Sequence, residues 1–221
     1  MDDRVTLGPM LNPVRGFLHG SAAVASLGGI VVLMIVGSGV LSRIAMASFG
    51  VALVFLFTVS ALYHSVPWAE RSRGIMQRLD HSAIFVLIAG SYTAIAGIAL
   101  DGWPKWVTLA LVWFVGVWGI THNVFFPSTS QRLSIILLLT MGWLGITVAK
   151  PMADALGATG FGIMVLGGLL YTIGTIIMVT GRPRLWPRVF SSHEVFHVMV
   201  VAASALHFVV VVRYVAPLAA G

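Results

Sequence analysis

The chain of 221 residues has no cysteine, and only seven of its residues are acidic: Asp2, Asp3, Glu70, Asp80, Asp101, Asp154 and Glu194. Without Cys there is neither a disulfide framework nor a thiolate metal site, so any bound metal must rest on His, Asp, Glu or water. Charged residues make up 9% of the sequence, against about 25% in an ordinary soluble domain. So few charges cannot cover a water-soluble globule, and they also exclude a disordered chain, a coiled coil and a nucleic-acid partner, despite a formal net charge of +6. No sustained internal repeat is present.

What the chain has in abundance is apolar sequence: 58% hydrophobic residues and a mean hydropathy of +0.99. Runs of about 17 to 25 apolar residues cross a bilayer as helices, since an open sheet leaves backbone groups unpaired in lipid. Seven such runs can be read, at 17–38, 44–65, 82–100, 106–122, 133–149, 159–180 and 194–213. The expected fold is an all-α integral membrane protein, a single seven-transmembrane helix bundle over 1–221. The first run is too long for a signal-peptide core and is expected to remain in the mature protein.

Basic residues near span ends stay on the cytoplasmic side. Arg4, Arg15, Arg71, Arg73, Arg78, Arg132, Arg182, Arg184 and Arg188 fall in one alternating set of segments, and Arg43, Lys105, Lys150 and Arg213 in the other. Nine against four, with an odd number of spans, predicts a cytoplasmic N-terminus and an outside C-terminus; the expected location is the inner (plasma) membrane. Trp103 and Trp106 beside Lys105, and Trp186 among its arginines, have the look of interfacial anchors. Gly28 with Gly29 and Gly167 with Gly168 fit close helix approach.

With this orientation, scattered polar residues fall at one depth. Ser60 and His64 end the second span, Asp80 and His81 open the third, and His193 and His197 open the seventh; His19, His122 and Asn123 lie at the same level. His207 alone is about 15 Å further along a regular helix, where packing or an interhelical hydrogen bond accounts for it. The spacing of four puts His193 and His197 on one helix face, able to reach one ion, and Ser60 and His64 share that spacing. Ionisable groups inside a bundle are costly and point to function, and neutral imidazoles with a carboxylate suit Zn²⁺. A pairing of Asp80 with Arg78 is the structural alternative.

His193-Glu194-Val195-Phe196-His197 also matches the HExxH pattern of zinc peptidases, in which the Glu is a general base. Ser191, three residues before Glu194, makes a capping box with it, and this structural role is the preferred one.

Taken together, Ser60-x3-His64, Asp80 and His193-x3-His197 resemble the pattern of the hemolysin III family, part of a larger group with the progestin and adipoQ receptors and the alkaline ceramidases. The resemblance runs over essentially the whole chain, and the segment from His197 to Ala203 is especially similar to the seventh helix of adiponectin receptors. It implies seven helices with Zn²⁺ near the cytoplasmic face, held by His64, His193 and His197, with Asp80 holding the water that the metal activates and Ser60 behind it. Hormone-receptor signalling is not expected, because the long N-terminal region of the receptor branch is missing here.

The expected activity is zinc-dependent hydrolysis of a lipid amide or ester, ceramidase-like, with membrane lipids as partners and a lipid substrate. Three imidazoles leave a fourth position for water, whose pKa zinc lowers to about 7. Asp80 would accept its proton and Ser60 would hydrogen-bond Asp80 or the oxyanion. Two alternatives stand beside this reading. One is a non-catalytic membrane-homeostasis sensor with structural zinc; the other is a cytolytic pore, for which the spans offer no charged stripe to line a wide channel.

Overall fold

The computed structural model describes residues 6–8, 10–126, 131–186 and 189–220. Asp2, Asp3, Arg4 and Arg188 lie outside them. A small antiparallel ladder, β1 (Thr6–Leu7) with β2 (Met10–Leu11), precedes seven α-helices: α1 (Pro13–Val36), α2 (Gly39–Ser65), α3 (Glu70–Ala99), α4 (Gly102–Phe125), α5 (Gln131–Trp143), α6 (Ala149–Thr180) and α7 (Ser192–Val210). A 3₁₀ segment, Leu144–Val148, joins α5 to α6, and a wider turn over Val211–Val215 prolongs α7.

Among the described residues, six helical stretches are long and apolar enough to cross a membrane; the fifth, Arg132–Thr180, runs for 49 residues. The polar stretch between the fifth and sixth apolar runs is helical because Lys150 Nζ meets Asp154 Oδ2 at 2.7 Å, an i,i+4 ion pair that supports a helix. The regular backbone breaks instead at Gly157, where φ is 67° and a side chain would be strained. Trp143 Nε1 nevertheless donates to Thr172 Oγ1 at 3.1 Å. A straight helix would hold residues 29 apart in sequence at about 43 Å, so the chain folds back between them.

α3 also departs from its apolar run. It begins at Glu70, well before residue 82, because Glu and Arg are good helix formers that carry the helix past the end of the apolar segment. Asp80 therefore lies inside α3 rather than at its start.

Pro13 takes the first position of α1, where its missing N–H is not needed. Asn12, in the left-handed region at φ 43°, donates from Nδ2 to the carbonyl of His64 at 3.3 Å and so ties the start of α1 to the end of α2. Consecutive helices α1 to α4 pack side by side, α6 packs along α7, and α7 returns to α1. The core is centred on α2 and α3, with Phe49, Leu53, Leu56 and Leu87 buried. Val24, Ile35, Leu41 and Phe114 face outward, as lipid-facing residues do, and Trp103, Trp106 and Trp186 are exposed.

Of the four glycines singled out for close approach, two serve it. A Cβ on Gly167 would lie 2.5 Å from His207 Cδ2, and one on Gly29 would lie 3.1 Å from Phe208; Gly28 and Gly168 face open space.

Candidate metal centre

Two helix ends deliver the cluster. Ser60 and His64 lie one turn apart near the end of α2, and His193 and His197 one turn apart at the start of α7. The opening of α7 is anchored by Glu194, whose Oε2 accepts from the Ser191 N–H at 2.8 Å and the Ser191 hydroxyl at 2.7 Å. Its Oε1 accepts from Arg15 Nε at 2.6 Å. Both oxygens are committed to the cap and to α1, which agrees with the capping reading of Glu194.

The three imidazoles meet. Ring centroids lie 5.0 Å apart for His64 and His193, 4.8 Å for His64 and His197, and 4.8 Å for His193 and His197, which stack at 10°. One nitrogen from each lies within 4.8 Å of the others, so together the three residues could hold a metal ion. His64 and His197 are buried and His193 is half-buried.

His19, on α1, completes the group in a way that spacing could not reveal. Its Nε2 lies 2.8 Å from His197 Nδ1. When His197 donates from Nδ1, its Nε2 presents a lone pair, and that atom is buried with no hydrogen-bond partner among the described residues. A buried polar atom left unpaired costs about 1–3 kcal/mol. Beside two other imidazoles, a shared cation would relieve that cost.

Asp80 Oδ2 stands 3.9 Å from His64 Nε2, and Ser60 hydrogen-bonds the Asp80 carboxylate. Ser60 and Asp80 are both buried. Arg78 is turned away and donates to the carbonyl of Val124 at 3.2 Å, so it is not the partner of Asp80.

The remaining histidines divide. His81 lines the cavity described below. His122 is buried on α4, its ring stacked with Phe126 at 6.3 Å, and neither of its nitrogens has a hydrogen-bond partner. Its neighbour Asn123 accepts from Ser134 at 2.7 Å. His207 Nε2 lies 3.2 Å from the carbonyl of Met164, the interhelical bond expected of it.

A cavity of about 430 Å³ adjoins the cluster, within the range of about 300–1,000 Å³ usual for small-molecule sites. Ser60, His64, Asp80 and His197 line it, as does His207, ten residues along α7 and so about 15 Å away. Between them the walls are largely Leu, Ile, Met, Phe and Val side chains. The arrangement sets a polar cluster that could hold a metal beside a chamber lined mainly by apolar side chains.

The family model described as Haemolysin-III related matches residues 10–208. The chain is 35% identical over 206 residues to Hemolysin-3 of Bacillus cereus, covering 91% of this chain and 90% of that protein. It is 34% identical over 199 residues to the Hemolysin-3 homolog of Bacillus subtilis strain 168, covering 89% and 90%. More distantly, it is 23% identical over 183 residues to the adiponectin receptor protein of Drosophila melanogaster, covering 75% of this chain and 41% of that protein. A match over nearly the whole chain, joined to six stretches able to cross a bilayer, makes this a multi-pass membrane protein that belongs to the haemolysin-III-related family.

Proposed function

We propose that the chain is a zinc-dependent hydrolase of a lipid amide or ester, with Zn²⁺ held by His64, His193 and His197. The observation that carries the reading is the buried, unpartnered Nε2 of His197 among two further imidazoles beside an apolar cavity. An all-nitrogen ligand set in a chain without Cys suits Zn²⁺. When bound, the ion supplies Lewis acidity toward water and a substrate carbonyl.

The protein's own groups do the rest. Asp80 accepts a proton at its carboxylate from the attacking water and returns it to the departing nitrogen or oxygen. Ser60 holds that carboxylate in place through its hydrogen bond, and His19 fixes the ring of His197. The apolar cavity takes the acyl chain and keeps bulk water from the linkage.

The same reading includes seven passes. It is supported by the fold-back between Trp143 and Thr172, which divides the 49-residue stretch. The excess of basic residues at the histidine-bearing end supports a cytoplasmic N-terminus, an outside C-terminus and residence in the plasma membrane.

The test is metal analysis of purified protein together with hydrolysis of long-chain lipid amides and esters, ceramides among them. About one zinc per chain is expected, and Asp80→Asn is expected to lower kcat by about 10²–10⁴-fold with the zinc retained. Unchanged turnover in that variant would overturn the mechanism. A structural clasp is the second reading, favoured by the way the cluster ties α2 to α7. Chelation that melts the bundle of a protein that turns over no lipid selects it.

A further inference from the structure

A second, polar pocket of about 250 Å³ lies on the other side of the histidine cluster. Tyr63, His64 and His193 line both this pocket and the larger apolar cavity, so two of the three clustered imidazoles stand in the partition between them. The polar pocket's remaining lining includes Asn12, Arg15 and Arg73 and no carboxylate. The charge of Arg15 is balanced by Glu194 through Nε, but its terminal nitrogens take no partner among the described residues. A guanidinium carries five donors, and one is spent. Arg73 makes no side-chain hydrogen bond or ion pair among the described residues.

We infer that this pocket binds the anionic headgroup, a carboxylate or phosphate, of a single-chain amphiphile whose acyl chain fills the larger cavity. The inference rests on the lipid-hydrolase reading and narrows its substrate class. An apolar chamber on one side of His64 and His193 and a cationic one on the other leave the linkage between tail and head at the cluster itself. A volume of about 250 Å³ admits a compact head and not a large one. Two arginines line the pocket, and a guanidinium's forked N–H donors suit the paired oxygens of a carboxylate or phosphate. Arg73 is exposed, so water solvates its charge in the free protein, and an anionic head would exchange that water for charge-assisted hydrogen bonds that a neutral head cannot match. The pairing also explains why Arg15 is held by Glu194: the ion pair fixes the guanidinium at the pocket wall.

The experiment measures binding, so that its outcome does not depend on turnover. Purified protein in a neutral detergent is titrated with amphiphiles of one acyl length: an N-acylglycine, a lysophosphatidic acid, an uncharged monoacylglycerol and a lysophosphatidylcholine. Zinc content is measured in parallel. The two anionic compounds are expected to bind about tenfold or more tightly than the others, the scale of one charge-assisted hydrogen bond. Arg73→Gln is expected to reduce that preference to about threefold or less with zinc unchanged. Arg71→Gln, which removes the same charge from the same helix outside the pocket, is expected to preserve it.

Equal affinity of the native protein for anionic and uncharged heads would overturn the proposal, as would equal losses in the two arginine variants. Inorganic phosphate alone is expected to bind at least about 100-fold more weakly than the lysophosphatidic acid; comparable affinity would assign the pocket to a free anion and overturn the amphiphile. A headgroup preference in a protein that hydrolyses none of these compounds removes the hydrolase and leaves the pocket standing. Hydrolysis without headgroup preference does the reverse.

Discussion

The two ends of α7 carry buried histidines in opposite circumstances. At one end His197 Nδ1 is held by His19, and Nε2 has no hydrogen-bond partner but sits among the rings of His64 and His193. At the other end His207 Nε2 meets the carbonyl of Met164, and its Nδ1 is likewise buried without a partner. Both residues thus have one unsatisfied nitrogen, and both pay for it in desolvation. What separates a site from a packed side chain is company. A lone pair facing two further imidazoles is unfavourable without a cation and favourable with one. The His207 ring, whose aromatic neighbour is Tyr171, has no second imidazole beside it among the described residues to share a metal.

The sharpest way to break the comparison is to remove a ring from each end. His64→Ala or His197→Ala is expected to weaken zinc binding by about 10³-fold or more, since a few ligands share about 10–16 kcal/mol in a structural zinc site. His207→Ala is expected to leave zinc affinity within about twofold and to lower the thermal midpoint through the cavity it creates. Chelator competition and thermal melting on the same preparations measure both. Zinc lost from the His207 variant alone would invert the assignment of the two ends.

A smaller effect is expected at His19, which touches no metal. Removing the partner of a ligating imidazole usually costs about 10–100-fold in metal affinity. His19→Ala is expected to fall in that range, and His19→Gln, which can still hydrogen-bond His197 Nδ1, to recover most of it. Equal losses in the two variants would reduce His19 to packing.

This residue also marks the boundary of what the chain alone discloses. Helix periodicity puts His193 and His197 on one face, and bilayer thickness puts His64 at their depth together with other histidines; the resemblance to the hemolysin III family singles out these three. The bond between His19 and His197 joins residues 178 apart and depends on how α1 settles against α7, which no local pattern encodes. Residues 70–81 and 150–158 were hidden for another reason. Hydropathy detects where a helix meets lipid, and a charged helix end such as Glu70 to Arg78, or one supported by Lys150 and Asp154, continues past that point unseen. The partition of two pockets by Tyr63, His64 and His193 was illegible for the same reason as His19: it exists only once α1, α2, α3 and α7 are assembled.

The finest test uses the neighbouring glycines behind His207. A methyl group on Gly167 would come within 2.5 Å of the His207 ring, while one on Gly168 would meet open space. Gly167→Ala is expected to destabilise by about 1–3 kcal/mol through overpacking, and Gly168→Ala to be neutral or to stabilise by up to about 1 kcal/mol, because alanine is the better helix former. Neither is expected to change zinc affinity, since the strain enters at the end of α7 remote from the cluster. Thermal melting with parallel zinc titration separates the two quantities. A Gly167→Ala protein that lost metal in proportion to its stability would mean that the ends of α7 are mechanically coupled, and His207 would then belong to the support of the site rather than to the packing of the helix.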